Sequence, residues 1–202
     1  MGYPTYIDES GVLTEGEAWV DLTSQKLSGN SASVSFENQT GDSGDGAGYE
    51  SDWSQYVDLF FVLSVRNERA STGGDWLEVK FNDNAASGGF YKAQHLRGDG
   101  SGIASTSAYG GGEIAWSPST NARANVFSAD TFRIFDINSG KHKSAICMSA
   151  SEVAASNGQA RIHALTWLKQ EPITKVTFFC TRGDLMTGSR LDMFACLPKM
   201  VQ

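Results

Sequence analysis

Apolar side chains recur at every second position along much of this chain, and that period admits strands and little else. From Asp75 to Asp83, DWLEVKFND sets Leu77, Val79 and Phe81 on one face and Glu78 and Lys80 on the other. From Tyr56 to Arg69, Leu59, Phe61, Leu63 and Val65 share a face. Phe60 and Val62 make the opposite face apolar too, the pattern of a central strand covered on both sides. The same alternation marks 18–22, 31–36, 131–137, 143–150, 159–168, 173–181 and 189–197, with weaker signals over 90–96 and 122–127.

Turn residues separate these runs. Ser28-Gly29-Asn30, Asn82-Asp83-Asn84, Asn138-Ser139-Gly140 and Arg182-Gly183-Asp184 are examples, and Asn157-Gly158 is a hairpin signal. No segment carries helical periodicity with caps, and 149–155 has room for one turn at most. About ten strands without helical partners predict an all-β jelly-roll sandwich. A chain of 202 residues fits one such domain. Residues 1–16 are polar and read as an N-terminal arm, leaving 17–202 as the domain. The acidic, Gly-rich stretch 39–52 reads as an insertion, and 98–112 as a long flexible loop.

The charge and the reactive side chains narrow the function. A net charge of −7 repels nucleic acid. The chain opens with neither the basic nor the apolar region of a signal peptide, and no run is long enough to span a membrane as a helix. Cys147, Cys180 and Cys196 lie in apolar runs at wide spacing, so they are expected buried and reduced. His95, His142 and His163 fall on separate segments with no metal-binding spacing and read as core or interface histidines. No serine elbow or Cys–His pair is present, and Gly140-Lys141-His142-Lys143-Ser144 lacks the upstream glycine of a phosphate loop. Asp42, Asp45, Glu50 and Asp52 match no calcium-loop spacing and read as a solvated acidic loop. Both Arg-Gly-Asp triplets, at 97–99 and 182–184, read as turns. Neither catalysis nor a cofactor or metal is expected.

Three stretches carry a resemblance. SASVSFEN (31–38) followed by YVDLFFVLSVRNER (56–69), then WLEVKFNDN followed by FYKAQHL with Asn82 and Tyr91, and then KVTFFCTRGDLMTGSRLDMFACL with its Gly188-Ser189 turn, resemble a jelly-roll family of tailed-bacteriophage virion proteins. Its first and last motifs resemble the family's opening and closing strand pairs, and the middle one its hairpin. The family includes capsid decoration or cement proteins, head fibres and receptor-binding tail tips, often homotrimeric. The resemblance implies a structural, non-enzymatic virion role without placing the protein on the particle. The polar arm and the small size without a shaft point to a capsid decoration protein on the virion surface, assembled in the host cytoplasm, with the major capsid protein and its own copies as partners. The alternative is a carbohydrate-binding tail module that stacks Trp53, Tyr109 or Trp116 on sugar rings. Tyr3, Pro4, Tyr6 and Ile7 in the arm, with Trp53, are the candidate partner contacts; a glycan-cleaving enzyme ranks last.

Overall fold

A computed structural model describes residues 19–38, 52–70, 73–85, 89–109, 111–154 and 157–197. The arm at 1–16 and most of the acidic insertion lie outside the described residues. Twelve strands follow one another: β1 (Trp19–Lys26), β2 (Ser33–Glu37), β3 (Asp58–Ser64), β4 (Gly74–Phe81), β5 (Tyr91–Gly98), β6 (Ile103–Tyr109), β7 (Glu113–Pro118), β8 (Ala129–Ile134), β9 (Lys143–Ala154), β10 (Asn157–Trp167), β11 (Lys175–Cys180) and β12 (Arg190–Cys196).

They form two antiparallel sheets, one of eight strands in the order β1-β12-β3-β8-β9-β10-β5-β6 and one of four in the order β2-β11-β4-β7. The chain winds between them: β1 lies beside β12, β2 beside β11, β3 on the other flank of β12 and β4 on the other flank of β11. That winding is a jelly roll. β5, β6, β9 and β10 are additions that widen the large sheet.

The core sits where the sheets face each other. Val34, Phe36, Leu59, Phe61, Leu63, Val79, Phe81, Val176 and Phe178, all aligned by alternation, are buried together. Phe61 packs its ring against Phe36, Phe132 and Phe178 at centroid separations of 5.5, 6.2 and 5.0 Å, aromatic contacts worth about 1 kcal/mol each beyond burial. Cys147, Cys180 and Cys196 are buried and free, as their apolar settings predict.

The structure corrects several sequence expectations. β3 is central in its sheet, but its second face is not covered: Val62 is 38% exposed, and Phe60 packs against Trp19 and Phe194 on the outer surface. None of the three resemblance motifs forms a strand pair, because each crosses from one sheet to the other. The expected hairpin at 81–91 is such a crossing. Asn82 and Asp83 turn the chain with φ of 49° and 59°, and Asn82 Oδ1 accepts from the Thr174 and Lys175 amides at 2.8 and 3.1 Å. The Tyr91 hydroxyl then accepts the Phe81 amide at 2.8 Å, tying the two sheets together at the corner.

Residues 122–127 are not a strand. Buried Arg66 draws the carbonyls of Ala122, Arg123 and Val126 onto its guanidinium at 3.3, 2.6 and 3.0 Å, and backbone acceptors so engaged are lost to a ladder. Residues 103–109, expected in a loop, are strand β6 on the sheet edge, and 149–154 continue β9. β9 and β10 do pair as antiparallel neighbours, but Asn157 and Gly158 are not the turn between them: they open β10 opposite Ala154 and Glu152, with a bulge between the two residues.

Replacing Phe61 with Ala should destabilise the protein by roughly 3–5 kcal/mol through the cavity left among the three remaining rings. The check is a guanidinium titration, in which the midpoint falls while the slope holds.

Candidate functional site

The large sheet is wider than the small one. β7 is the small-sheet strand that approaches β9 and β10, and β5 and β6 continue beyond it. On the inner face of the large sheet the pairing register assembles rows from residues far apart in sequence, which turn polar towards β10, β5 and β6. One row runs Asp130, Ser149, Arg161, Arg97; the next runs Phe132, Cys147, His163, His95, Thr106.

Opposite them, Trp76 of β4 pairs with Trp116 of β7, their rings edge to face at 4.8 Å. Trp76 also meets His95 at 5.1 Å and His163 at 6.0 Å, and the two histidine rings lie 5.1 Å apart. The Arg161 guanidinium sits 4.7 Å from the Trp76 ring and 4.9 Å from that of Trp116. Trp76, Trp116, His95 and Arg161 border a cleft of about 510 Å³ that also touches Gly74, Arg97, Asp99, Thr106, Asn157 and Gln159, with His163 packed behind them. A side chain at position 74 would collide with the Trp116 indole nitrogen, so glycine lets this ring lie flat against β4.

Burial sets the electrostatics. It pushes the Arg161 guanidinium down to about 10, with Arg97 adding to the effect. It pushes His163 down to about 3, helped by His95 and Arg161, so this imidazole is neutral at physiological pH. His95 is lowered for the same reasons: burial first, then Arg161 and Arg97. At the far end of the polar row, burial raises Asp130 to about 7, although Ser128 donates to it at 2.5 Å. Glu113 and Glu78 face each other across β7 and β4. Burial and then Glu78 raise the Glu113 carboxyl, and neither acid lines the cleft. The whole arrangement suits binding: a guanidinium, two indoles, neutral imidazoles and side-chain amides.

The cleft collects some expected residues and leaves others elsewhere. Trp116, a candidate for sugar stacking, lines it. Trp53 does not: this proposed partner contact is fully buried. Its amide donates to Asn38 Oδ1 at 2.9 Å and its carbonyl accepts from Asn138 at 2.7 Å, which locks it beneath the chain as a core residue. Tyr3, Pro4, Tyr6 and Ile7 lie outside the described residues, as do Asp42, Asp45 and Glu50. Asp52 caps a short turn by accepting the Ser54 amide at 2.9 Å. The Asp99 carboxylate folds back onto Ser101 and Gly102, closing its own turn. Trp76 and the His95–His163 pair escape a reading of the sequence. Nothing local announces that β5 will pair with β10.

Comparison with known protein families, curated proteins and solved structures finds no match. Among the described residues no cluster of His, Cys, Asp or Glu is arranged to hold a metal ion, and no helix is long and apolar enough to cross a membrane.

The two buried titrating groups predict opposite pH responses. His163 falls from 6.5 to about 3 on folding, so the unfolded chain takes up a proton that the folded one refuses. Stability is therefore lost as pH drops from 6.5. Asp130 rises from 3.8 to about 7, so its contribution is present at low pH and lost as pH climbs through that window. Asp130→Asn should raise the melting temperature at pH 8 and change it much less at pH 4. His163→Gln should flatten the loss of stability between pH 6.5 and pH 4. Thermal melts of both variants across that range give the answer.

Proposed function

We propose that this chain is a non-enzymatic structural protein of a tailed-bacteriophage virion, one that decorates or cements the head by bridging capsid subunits. The observation that carries the reading is the outer face of the large sheet. A sheet face turned to water normally carries polar side chains. Here Leu96, Ile162 and Met148 stand side by side across β5, β10 and β9, and they are 49%, 47% and 58% exposed. Ile103 of β6 extends the patch at 81% exposed, and Ile146 and Val62 border it. Apolar groups gathered this way mark a surface that adheres to another protein. The jelly-roll winding and the resemblance of three stretches to phage virion proteins support the same reading.

Attachment to the major capsid protein then has two parts. The apolar face provides area. The arm provides Tyr3, Pro4, Tyr6 and Ile7 as anchors that a groove can bury. Assembly as a homotrimer multiplies both through effective concentration. The protein acts on the capsid surface after assembly in the host cytoplasm. The second reading, a receptor-binding tail module, is favoured by the aromatic cleft, and imaging particles that carry a labelled copy separates the two by signal over the head or at the tail tip.

Light scattering at micromolar concentration should return the mass of a trimer. Removing residues 2–14 should leave a folded trimer that no longer coats heads. The pair Met148→Glu and Ile162→Glu should lower head occupancy with little change in melting temperature, since both side chains face solvent in the free protein. Full coating by either variant argues against that surface as the anchor.

A further inference from the structure

The cleft on the inner face of β10 and β5 has no task in head attachment, and its chemistry selects a ligand. Arg161 is its centre. The residue is 5% exposed. Its Nε and Nη2 both donate to Gln159 Oε1, at 3.0 and 2.8 Å, while Nη1 has no hydrogen-bond partner. The indoles of Trp76 and Trp116 lie beside the guanidinium, with ring centroids 4.7 and 4.9 Å away. Among the described residues no carboxylate stands within ion-pair distance of it. A cation taken out of water and held only by an amide oxygen and two rings retains an unmet demand for negative charge.

Arg97, its direct neighbour across the β10–β5 pair, brings a second positive charge to the same cleft. Asp99 gives Oδ1 to its own turn and holds Oδ2 3.7 Å from Arg97, so it offsets part of this positive charge. Glu113 and Asp99 both act electrostatically on Arg161, and of the two only Asp99 lines the cleft. Two guanidinium groups against one carboxylate thus line this cleft, in a chain whose net charge is −7.

Size and lining decide what carries the negative group. About 510 Å³ is far more than a lone inorganic anion fills and lies in the range of organic ligand pockets. The walls combine ring faces, from Trp76 and His95, with the amide of Asn157 and the hydroxyl of Thr106, while the Gln159 amide is committed to Arg161 and Ser151. A pyranose has the matching surface: a C–H face for the rings and a rim of hydroxyls for the amide and the hydroxyl.

We propose that this cleft binds an acidic sugar residue of a glycan, its carboxylate or sulfate against Arg161 and Arg97 and its ring against Trp76 and His95. Leu96 and Ile162 project from the opposite face of the same strands, so the cleft stays open when that face is docked.

Calorimetric titration of the intact protein with three probes tests the proposal: a galacturonic acid trimer, a sulfated galactose trimer and a neutral galactose trimer. At least one acidic trimer should bind about tenfold tighter than the neutral one, with affinity falling as salt rises. Whichever acidic probe is preferred identifies the carboxylate or the sulfate as the recognised group. Arg161→Met should weaken that binding by about tenfold or more. Arg97→Gln, at the more exposed rim, should weaken it several-fold and carries the test if the Arg161 variant does not fold by circular dichroism. The proposal is overturned if all three probes fail to bind at millimolar concentration. Equal affinity for neutral and acidic trimers overturns it as well, as does unchanged affinity in a folded variant. The assay reads the cleft alone, wherever on a particle the protein sits.

Discussion

The rings of Phe61 and Phe178 meet edge to face with centroids 5.0 Å apart, where β3 of the large sheet lies under β11 of the small one. Phe36 and Phe132 close around them. Sheets packed face to face keep roughly 10 Å between them, and interdigitated side chains maintain that gap. This cluster holds the four-stranded sheet over β12, β3, β8 and β9. It also decides which strands go uncovered. A sheet of four cannot roof a sheet of eight, so the inner faces of β10 and β5 pass from apolar core to polar cleft within a few residues.

The passage is visible along β10, where the inward side chains run Trp167, Leu165, His163, Arg161, Gln159. Polarity rises step by step as cover from the small sheet thins. His163 stays neutral because charging it there costs more than water returns. Arg161 keeps its charge at physiological pH, since even a guanidinium lowered to about 10 is protonated. Two indoles offset part of its lost hydration. Such a residue contributes little to stability by itself.

Alternation alone was enough to read the interior: the nine residues aligned by period two are buried together. It was not enough for partners. β2–β3, β4–β5 and β11–β12 are successive in sequence, yet each pair is split between the sheets. The cue for separation is a corner bond such as Tyr91 to the Phe81 amide, and this has no local sequence signature. β6 went unread because Ile103–Tyr109 is built of small side chains framed by glycines and lies on an edge, where burial does not enforce a pattern. Trp53 looked available because polar residues surround it, although a large aromatic beside a polar loop is as readily the plug beneath it. The cleft depends on β4, β5, β7 and β10 coming together, a juxtaposition of distant segments that only the folded chain displays.

The three strands β5, β9 and β10 share a numbering parity. Leu96, Ile146, Met148, Ala160 and Ile162, all even, face outward; His95, Arg97, Cys147, Ser149, Arg161 and His163, all odd, face inward. Two surfaces of different chemistry are thus interleaved in one stretch of chain. Point substitutions can tune either surface without touching the other. A single-codon insertion or deletion inside β10 cannot, because it turns every later side chain to the wrong face. Length within these strands is therefore under tighter constraint than residue identity, and variation between natural versions of this protein should accumulate as parity-preserving replacements, with changes in length confined to the connections between strands.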